Sequence, residues 1–184
     1  IAEGFEAGGH NGREETTTLA LIPAVAQAID LPLVAAGGIA SGRSILAAQS
    51  LGAEGVQIGT LFALSEESSA HAAFKEACVK SDEGDTILTL KELAPTRLLK
   101  NEFYQQVATL QARGASADEL RELLGRARAK RGIFEGDLDE GELEIGQVAA
   151  QIEEVQPVAQ IFDQLIAEYN AARAELIDMN WTNC

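Results

Sequence analysis

The chain has 184 residues, of which 46% are apolar, and a formal net charge of −15. This length suits one domain or slightly more, and the negative charge argues against nucleic acid and anionic membranes as partners because it repels their phosphates. No apolar run reaches the roughly 18 residues that a membrane-spanning helix needs. The two cysteines, Cys78 and Cys184, form no metal-binding motif, so we expect a cytoplasmic protein without a metal site.

Residues 1–64 alternate short apolar runs with helical patterns. A fully apolar run at 33–36 and a second short run at 55–59 flank a helical pattern that Gly52 ends. Short buried strands between amphipathic helices predict βαβ units and a parallel sheet. This pattern fits both a (β/α)₈ barrel and a doubly wound sheet. Because the chain starts at Ile1, on what resembles the end of a strand, we expect N-terminal strands to be absent.

Residues 65–177 are predicted to be mostly helical. We expect a helix over residues 65–80 that Ser65 caps, with His71 on its surface. A loop with a short extended pair follows over residues 81–90, and the chain is predicted to be helical from Pro95 onward.

The remaining elements are predicted from capping and spacing. Ser116 and Glu119 have the spacing of a capping box, and Pro157 is expected to open a long last helix. The acidic stretch over residues 135–144 lacks the regular spacing of a cation site and is interpreted as a solvated loop. Residues 178–184 are predicted to be a frayed tail.

A glycine-rich segment at the end of the first strand carries a histidine. Gly8, Gly9 and Gly12 surround His10, and glycines allow a positive φ and a close approach of the backbone to a ligand. Strand carboxyl ends are where α/β barrels place their chemistry. We therefore interpret His10 as a candidate catalytic residue.

Two further strand ends carry glycines. Gly37 and Gly38 follow one strand and precede a helix, where backbone N–H groups favour phosphate. Gln57, Gly59 and Thr60 lie at the next strand end. Two such ends, one βα unit apart, can present N–H groups to a single phosphate. The sequence has neither a dinucleotide fingerprint nor a P-loop.

Three motifs resemble those of the nitronate monooxygenase family: AEGFEAGGHNG at 2–12, LVAAGGIASGR at 33–43 and GAEGVQIGTLF at 52–62. The resemblance continues through RLLKNEF at 97–103 and GIFEGDLDEGELEIGQVAA at 132–150. Flavin-dependent enoyl-ACP reductases of the second type share these motifs. The resemblance implies that residues 1–64 are C-terminal βα units of a (β/α)₈ TIM barrel that binds FMN, with the helical region at 65–177 inserted or appended.

The resemblance also implies roles for single residues. His10 matches the catalytic histidine of the family, which would hydrogen-bond a nitronate or act as a base towards a neutral nitroalkane. Gly8 and Gly9 match residues beside the flavin ring or the substrate. Glu3 stands where many family members carry a glutamine that touches the flavin, and it would place a negative charge there. The segments that hold the flavin phosphate match Gly37, Gly38, Gln57, Gly59 and Thr60.

The implied activity is the oxidation of alkyl nitronates with O₂ to a carbonyl compound and nitrite. The same motifs leave open an NAD(P)H-dependent enoyl-ACP reductase, for which the basic stretch over residues 126–131 is a candidate carrier-protein contact. A third interpretation is an inactive fragment that needs a missing N-terminal half, because open sheet edges invite association. We expect a small-molecule substrate, a nitronate or an enoyl thioester, and consider a homodimer.

Overall fold

The computed structural model describes residues 1–178, which form six short strands, eight α-helices and a 3₁₀ helix. The first part contains β1 (Ala2–Glu3), β2 (Gly9–His10), α1 (Thr18–Ala28), β3 (Val34–Ala36), α2 (Gly42–Ser50), β4 (Gly55–Gln57) and α3 (Thr60–Ala63). The second part contains α4 (Ala72–Val79), β5 (Thr86–Thr89), β6 (Thr96–Leu99), α5 (Glu102–Ala112), α6 (Ala117–Leu124), α7 (Arg128–Ile133), the 3₁₀ helix (Gln147–Gln151) and α8 (Val158–Asp178).

A parallel sheet organises the first part. Its strand order is β1-β3-β4, with Ala2 opposite Ala35 and Ala35 opposite Val56. The helices α1 and α2 connect its strands, and the buried side chains between sheet and helices include Ile22 and Leu33. The predicted parallel βα units within residues 1–64 are therefore confirmed. The outer strands β1 and β4 each pair on one side within the described residues.

An antiparallel sheet, of order β2-β6-β5, corrects the prediction that the chain is helical from Pro95 onward. The residues of β6 are all buried, and they pair with β5 from Thr86 opposite Leu99 to Thr89 opposite Thr96. Burial on both faces leaves a strand without alternation, so its four residues do not differ in pattern from part of a buried helix. Residues 65–177 thus contain strands as well as helices.

The segment after α3 corrects a second prediction. Ser65 does not cap a helix; its buried hydroxyl donates to the Phe62 carbonyl. Instead α4 begins after His71, whose Nδ1 accepts the N–H of Ala73 at 3.2 Å. The ammonium of the buried Lys75 donates to the carbonyl oxygens of Ser65, Glu66 and Ser68 at 2.6, 3.2 and 2.9 Å. Because these carbonyl oxygens point towards Lys75, they do not form the hydrogen bonds of a helix over residues 65–71.

Other local predictions are confirmed. Ser116 and Glu119 form the capping box at the start of α6, and Gly52 follows the end of α2 with a φ of +105°. Pro157 immediately precedes α8. The predicted tail starts too early by one residue, since α8 extends to Asp178, and residues 179–184 lie outside the described part of the chain.

Two apolar clusters stabilise the second part. One surrounds Phe74 and Leu143, and the other joins Leu98 of β6 to Phe103 and Leu120. The last helix, α8, returns to pack on α2. Across residues 1–178, no helix combines the length and apolarity needed to cross a membrane.

Candidate active site

A cleft of about 220 Å³ lies at the carboxyl ends of the three parallel strands. It is also bounded by Glu144, Ile145 and Gly146, which precede the 3₁₀ helix, and by Val148 within that helix. Six of the eight residues predicted to form the site line it: Gly8, Gly37, Gly38, Gln57, Gly59 and Thr60. Segments distant in sequence thus converge on one concave surface.

The turn after β3 brings two glycines to the cleft. Gly37 and Gly38 have φ angles of +87° and +70°, which side chains rarely allow. A Cβ on Gly37 would lie 2.6 Å from the carbonyl oxygen of Gly4, whereas one on Gly38 would come no nearer than 3.4 Å to the Glu6 side chain. Gly37 therefore permits close packing on Gly4, the residue after β1, and Gly38 keeps the cleft open.

The end of β4 forms the opposite wall. Gln57 and Gly59 are exposed, and a Cβ on Gly59 would meet nothing within 4 Å. Thr60 is buried, and its hydroxyl accepts the N–H of Gly146 at 3.1 Å. Thr60 thereby joins this wall to the second part of the chain and keeps its own hydroxyl proton available for a ligand.

The N-terminus of α2 differs from expectation. Ser41 and Ser44 form a capping box there, and the N–H of Gly42 donates to a carboxylate oxygen of Glu168 in α8 at 2.8 Å. A carboxylate from the protein therefore occupies the end of α2 where we expected a phosphate. Gly37 and Gly38 therefore remain the candidate phosphate-binding residues at this strand end.

The glycines before the histidine pack against the second part of the chain. A Cβ on Gly8 would overlap the backbone of Ile145, and one on Gly9 would lie 2.9 Å from Oε2 of Glu144. Gly9 also has a φ of +74°. These two glycines are thus required by the protein's own packing, apart from any contact with a ligand.

His10 lies beside the cleft rather than in its wall. It is an exposed residue of β2 and pairs with Thr96 of β6. Next to it, the Asn11 side chain donates to the carbonyl oxygens of Ala7 and Gly9 at 3.0 and 3.1 Å. The backbone around the imidazole is therefore held on both sides.

Arg97 is a site-forming residue that the sequence analysis missed. It is 2% exposed, and its Nε and Nη2 donate to the Phe5 carbonyl at 3.1 and 2.9 Å. The guanidinium carbon also lies 5.1 Å from the centre of the Phe5 ring. Burial lowers the pKa of Arg97, and the charges of Glu6 and Glu15 partly oppose this. Arg97 fixes the loop that leads to the glycines and His10.

Three carboxylates line the cleft: Glu3, Glu6 and Glu144. The two carboxylate oxygens of Glu6 accept the N–H of Thr18 at 3.0 and 3.1 Å. One of them, Oε2, also accepts the Thr18 hydroxyl at 2.9 Å, so the Glu6 carboxylate caps the N-terminus of α1. Burial raises the pKa of Glu3. Burial also raises the pKa of Glu144, and the nearby His10 charge partly lowers it.

The acidic stretch over residues 135–144 contains two environments. Asp137 and Glu140 form ion pairs with Arg131 at 2.5 Å and Arg128 at 3.0 Å, whereas Glu142 is buried. Burial and the charge of Glu144 raise the pKa of Glu142 to about 7, against a smaller opposite effect of Arg128. The interpretation of a fully solvated loop is therefore wrong at its C-terminal end. Within residues 1–178, no three His, Cys, Asp or Glu side chains cluster as metal ligands would.

The comparisons with known proteins agree on a family. The family model described as "Nitronate monooxygenase" matches residues 1–168. A "Probable nitronate monooxygenase" of Staphylococcus haemolyticus is 44% identical over 115 residues, which are 57% of this chain and 32% of that protein. The corresponding protein of Staphylococcus saprophyticus is 43% identical over 117 residues, covering 58% of this chain and 33% of its own.

Solved structures match over a greater length. FabK from Thermotoga maritima superposes with a TM-score of 0.88 at 38% identity, covering 96% of this chain and 55% of that chain. A nitroalkane oxidase from Streptomyces ansochromogenes superposes with a TM-score of 0.76 at 33% identity, covering 96% and 52%. The chain thus spans about half of these structures, and its matches span about a third of the curated relatives.

Proposed function

We propose, because this chain belongs to the nitronate monooxygenase family, that it is part of an FMN-dependent enzyme that oxidises alkyl nitronates. The products are a carbonyl compound and nitrite, with O₂ as co-substrate. The observation that carries the proposal is the cleft itself, in which glycine-bearing strand ends meet beside His10.

The proposed architecture is a (β/α)₈ barrel of which the three parallel strands are a part, with residues 65–177 as the appended region. Support comes from the outer strands β1 and β4, which pair on only one side within the described residues, and from solved relatives roughly twice as long. Further barrel units would also cover an apolar groove beside β4. This groove is lined mainly by Ile45, Val56, Ile58, Phe162 and Ile166.

The form of the cleft supports its use for the phosphate end of FMN. Gly59 and Gly38 leave room where a side chain would intrude, and backbone N–H groups at Gly37, Gly38, Gly59 and Thr60 would hold the phosphate, with Gln57 beside them. Whole ligand sites usually measure about 300–1,000 Å³, so a cleft of about 220 Å³ is one end of such a site.

Bound FMN would supply the electron-accepting and oxygen-reactive chemistry. The chain's own residues position the substrate. His10 would hydrogen-bond the nitro oxygens, since an imidazole can donate from either nitrogen. Arg97 holds the Phe5 carbonyl and so fixes the loop that ends at His10. Glu3 would place a carboxylate beside the bound cofactor, and burial raises the pKa of that carboxyl.

Anaerobic flavin reduction tests this function. We expect the flavin absorbance of the purified holoenzyme to bleach rapidly with ethylnitronate and not with NADH. Subsequent admission of air should release nitrite. Rapid bleaching by NADH together with turnover of a crotonyl thioester would refute the proposal.

Bleaching by NADH would instead support a second candidate function, that of an enoyl-ACP reductase that uses NAD(P)H. The structural similarity to FabK, an enoyl-ACP reductase II, favours it. However, three cations of the proposed carrier-protein contact are paired with acidic side chains of this chain. These ion pairs are Arg128–Glu140, Lys130–Glu135 and Arg131–Asp137. We therefore retain nitronate oxidation as the first proposal.

A further inference from the structure

The ammonium group of Lys75 is buried and has no acidic partner among the described residues. Lys75 lies on the first turn of α4 and is only 8% exposed. None of the ion pairs within residues 1–178 involves it. A buried charge normally needs a partner of opposite charge. The carbonyl oxygens of Ser65, Glu66 and Ser68 take that place, at 2.6, 3.2 and 2.9 Å from Nζ.

These contacts match the needs of an ammonium group in number and in kind. The group has three N–H donors, and three carbonyl oxygens are within hydrogen-bond distance of it. All three belong to residues 65–68, so this short stretch of backbone bends around a single point. Converging backbone carbonyls also bind K⁺, as in the selectivity filters of potassium channels. Residues 65–68 therefore have the geometry of a monovalent-cation site, with the lysine nitrogen in the position of the cation.

The segment that the ammonium holds joins the end of α3 to the start of α8. It begins shortly after α3, whose first residue, Thr60, lines the cleft. The N–H of Glu66 donates to the Gln156 carbonyl at 3.0 Å. The carboxylate oxygens of Glu67 accept the N–H of Val158, the first residue of α8, at 3.1 and 2.9 Å. The position of this segment therefore affects both ends of the contact between the two helices.

We propose that the three carbonyl oxygens form a site for a monovalent cation, which the chain fills with its own Lys75 ammonium. The ligands that such a site accepts are NH₄⁺, which has the same N–H donors, and K⁺, which has nearly the same size. Tetramethylammonium fits neither description, because it is larger and has no N–H group. The inference concerns the fold and is independent of the reaction that the enzyme carries out.

Removing the lysine side chain should convert this internal cation into a requirement for an external one. We expect urea to unfold the Lys75→Ala holoenzyme at a lower concentration than the wild type, since buried carbonyls lose their donors. A ligand that binds only the folded state stabilises it, so KCl or NH₄Cl should restore at least about half of the lost urea midpoint. Tetramethylammonium chloride at equal ionic strength should restore none of it.

The wild type and a second lysine variant are the controls. The urea midpoint of the wild type should be the same in all three salts, because its site is already filled. Lys80→Ala removes an exposed lysine at the end of the same helix, where it pairs with Glu76. This variant should also show no preference among the salts.

NMR of the lysine ammonium groups tests the wild-type site without a destabilised variant. A ¹H–¹⁵N spectrum at neutral pH should contain an ammonium signal that exchanges slowly with water, because its N–H groups are buried and hydrogen-bonded. Lys75→Arg should lose this signal, and Lys80→Arg should keep it.

The outcomes decide the proposal in each case. If Lys75→Ala does not fold without salt, folding on addition of K⁺ or NH₄⁺ alone would support the site. Failure to fold in all three salts, or equal recovery in tetramethylammonium, would overturn it. A spectrum without a slowly exchanging ammonium that depends on Lys75 would overturn it as well.

Discussion

At the scale of single residues, the buried guanidinium of Arg97 has an effect beyond its own position. It donates twice to the Phe5 carbonyl from β6, and that carbonyl belongs to the loop leading to His10. Its ring contact with Phe5 adds a second restraint on the same residue. The loop is therefore held from the antiparallel sheet.

Replacing Arg97 should weaken both fold and site. We expect Arg97→Lys to lower the free energy of unfolding by about 1–3 kcal/mol, because lysine keeps the charge but cannot present two N–H groups to one carbonyl. Flavin affinity should fall as well. Urea unfolding and flavin fluorescence titration measure the two effects. Arg113→Lys, which alters only an exposed ion pair with Glu119, should change stability by less than about 1 kcal/mol; an equal loss in both variants would contradict the role of Arg97.

Glu142 should make stability depend on pH. Its pKa is raised from 4.5 to about 7 by burial, so between these values the native state retains a proton that the unfolded state has released. The free energy of unfolding should therefore fall as pH rises through this window, by up to about 3 kcal/mol.

Urea unfolding at pH 5, 6, 7 and 8 measures this dependence. Glu142→Gln should fall less over the same range and be more stable than the wild type at pH 8. The exposed Glu122→Gln should follow the wild-type profile. Parallel curves for wild type and Glu142→Gln would show that the carboxyl does not cause the loss.

The sequence could identify those site residues whose residue type and position at a strand end indicate a ligand. Glycines at strand ends, the histidine among them, and the neighbouring Gln57 and Thr60 point to a ligand, and six of these eight residues line the cleft. Glu144 and Arg97 could not be found in this way. Their importance depends on burial and on contacts with residues about ninety or more positions away, such as Phe5 and Gly9. The only sequence signal was that both lie in segments resembling the family.

At the scale of elements, α2 and α8 are joined through a cap. The Glu168 carboxylate accepts the Gly42 N–H at 2.8 Å, while Arg43 and Glu175 form an exposed ion pair between the same helices. The two contacts have different energetic value, because a helix N-terminus interacts with a carboxylate through both a hydrogen bond and its dipole.

Alanine substitutions should separate these contributions. Glu168→Ala should lower the free energy of unfolding by about 1–2 kcal/mol, whereas Glu175→Ala, on the same helix, should change it by less than about 0.5 kcal/mol. Chemical denaturation monitored by circular dichroism gives both values. Equal losses would mean that the cap contributes no more than the surface pair.

Helix caps and βα units were predicted correctly because nearby residues determine them. The strand β6 was not predicted, because it depends on pairing with residues far away in sequence. The capping box at Ser116, the glycine at the end of α2 and the parallel βα units depend on neighbouring residues. In contrast, β6 is a strand because β2 and β5 pair with it on both sides. The first of these partners lies more than eighty residues earlier, where no local pattern could indicate it.

At the scale of the whole molecule, the apolar groove beside β4 exposes large hydrophobic side chains to solvent. Its side chains Phe162 and Ile166 are 53% and 56% exposed, and exposed apolar grooves of this kind favour association. The single-sided pairing of β1 and β4 acts in the same direction.

The 184-residue chain on its own should therefore self-associate. Sedimentation velocity should show species that grow with concentration, and Phe162→Ser combined with Ile166→Ser should reduce them. Leu31→Ser, which removes an exposed leucine outside the groove, should leave association unchanged. A monomer at every concentration would contradict this expectation.

The two sheets also divide the site between them. The candidate residues Gly37, Gly38, Gly59 and Thr60 follow β3 and β4 of the parallel sheet, whereas His10 is part of β2, which pairs with β6 in the antiparallel sheet. His10 therefore belongs to the first part of the chain by sequence but to the second part by strand pairing. A substitution that displaces β6 would move His10 while the turns after β3 and β4 stay in place.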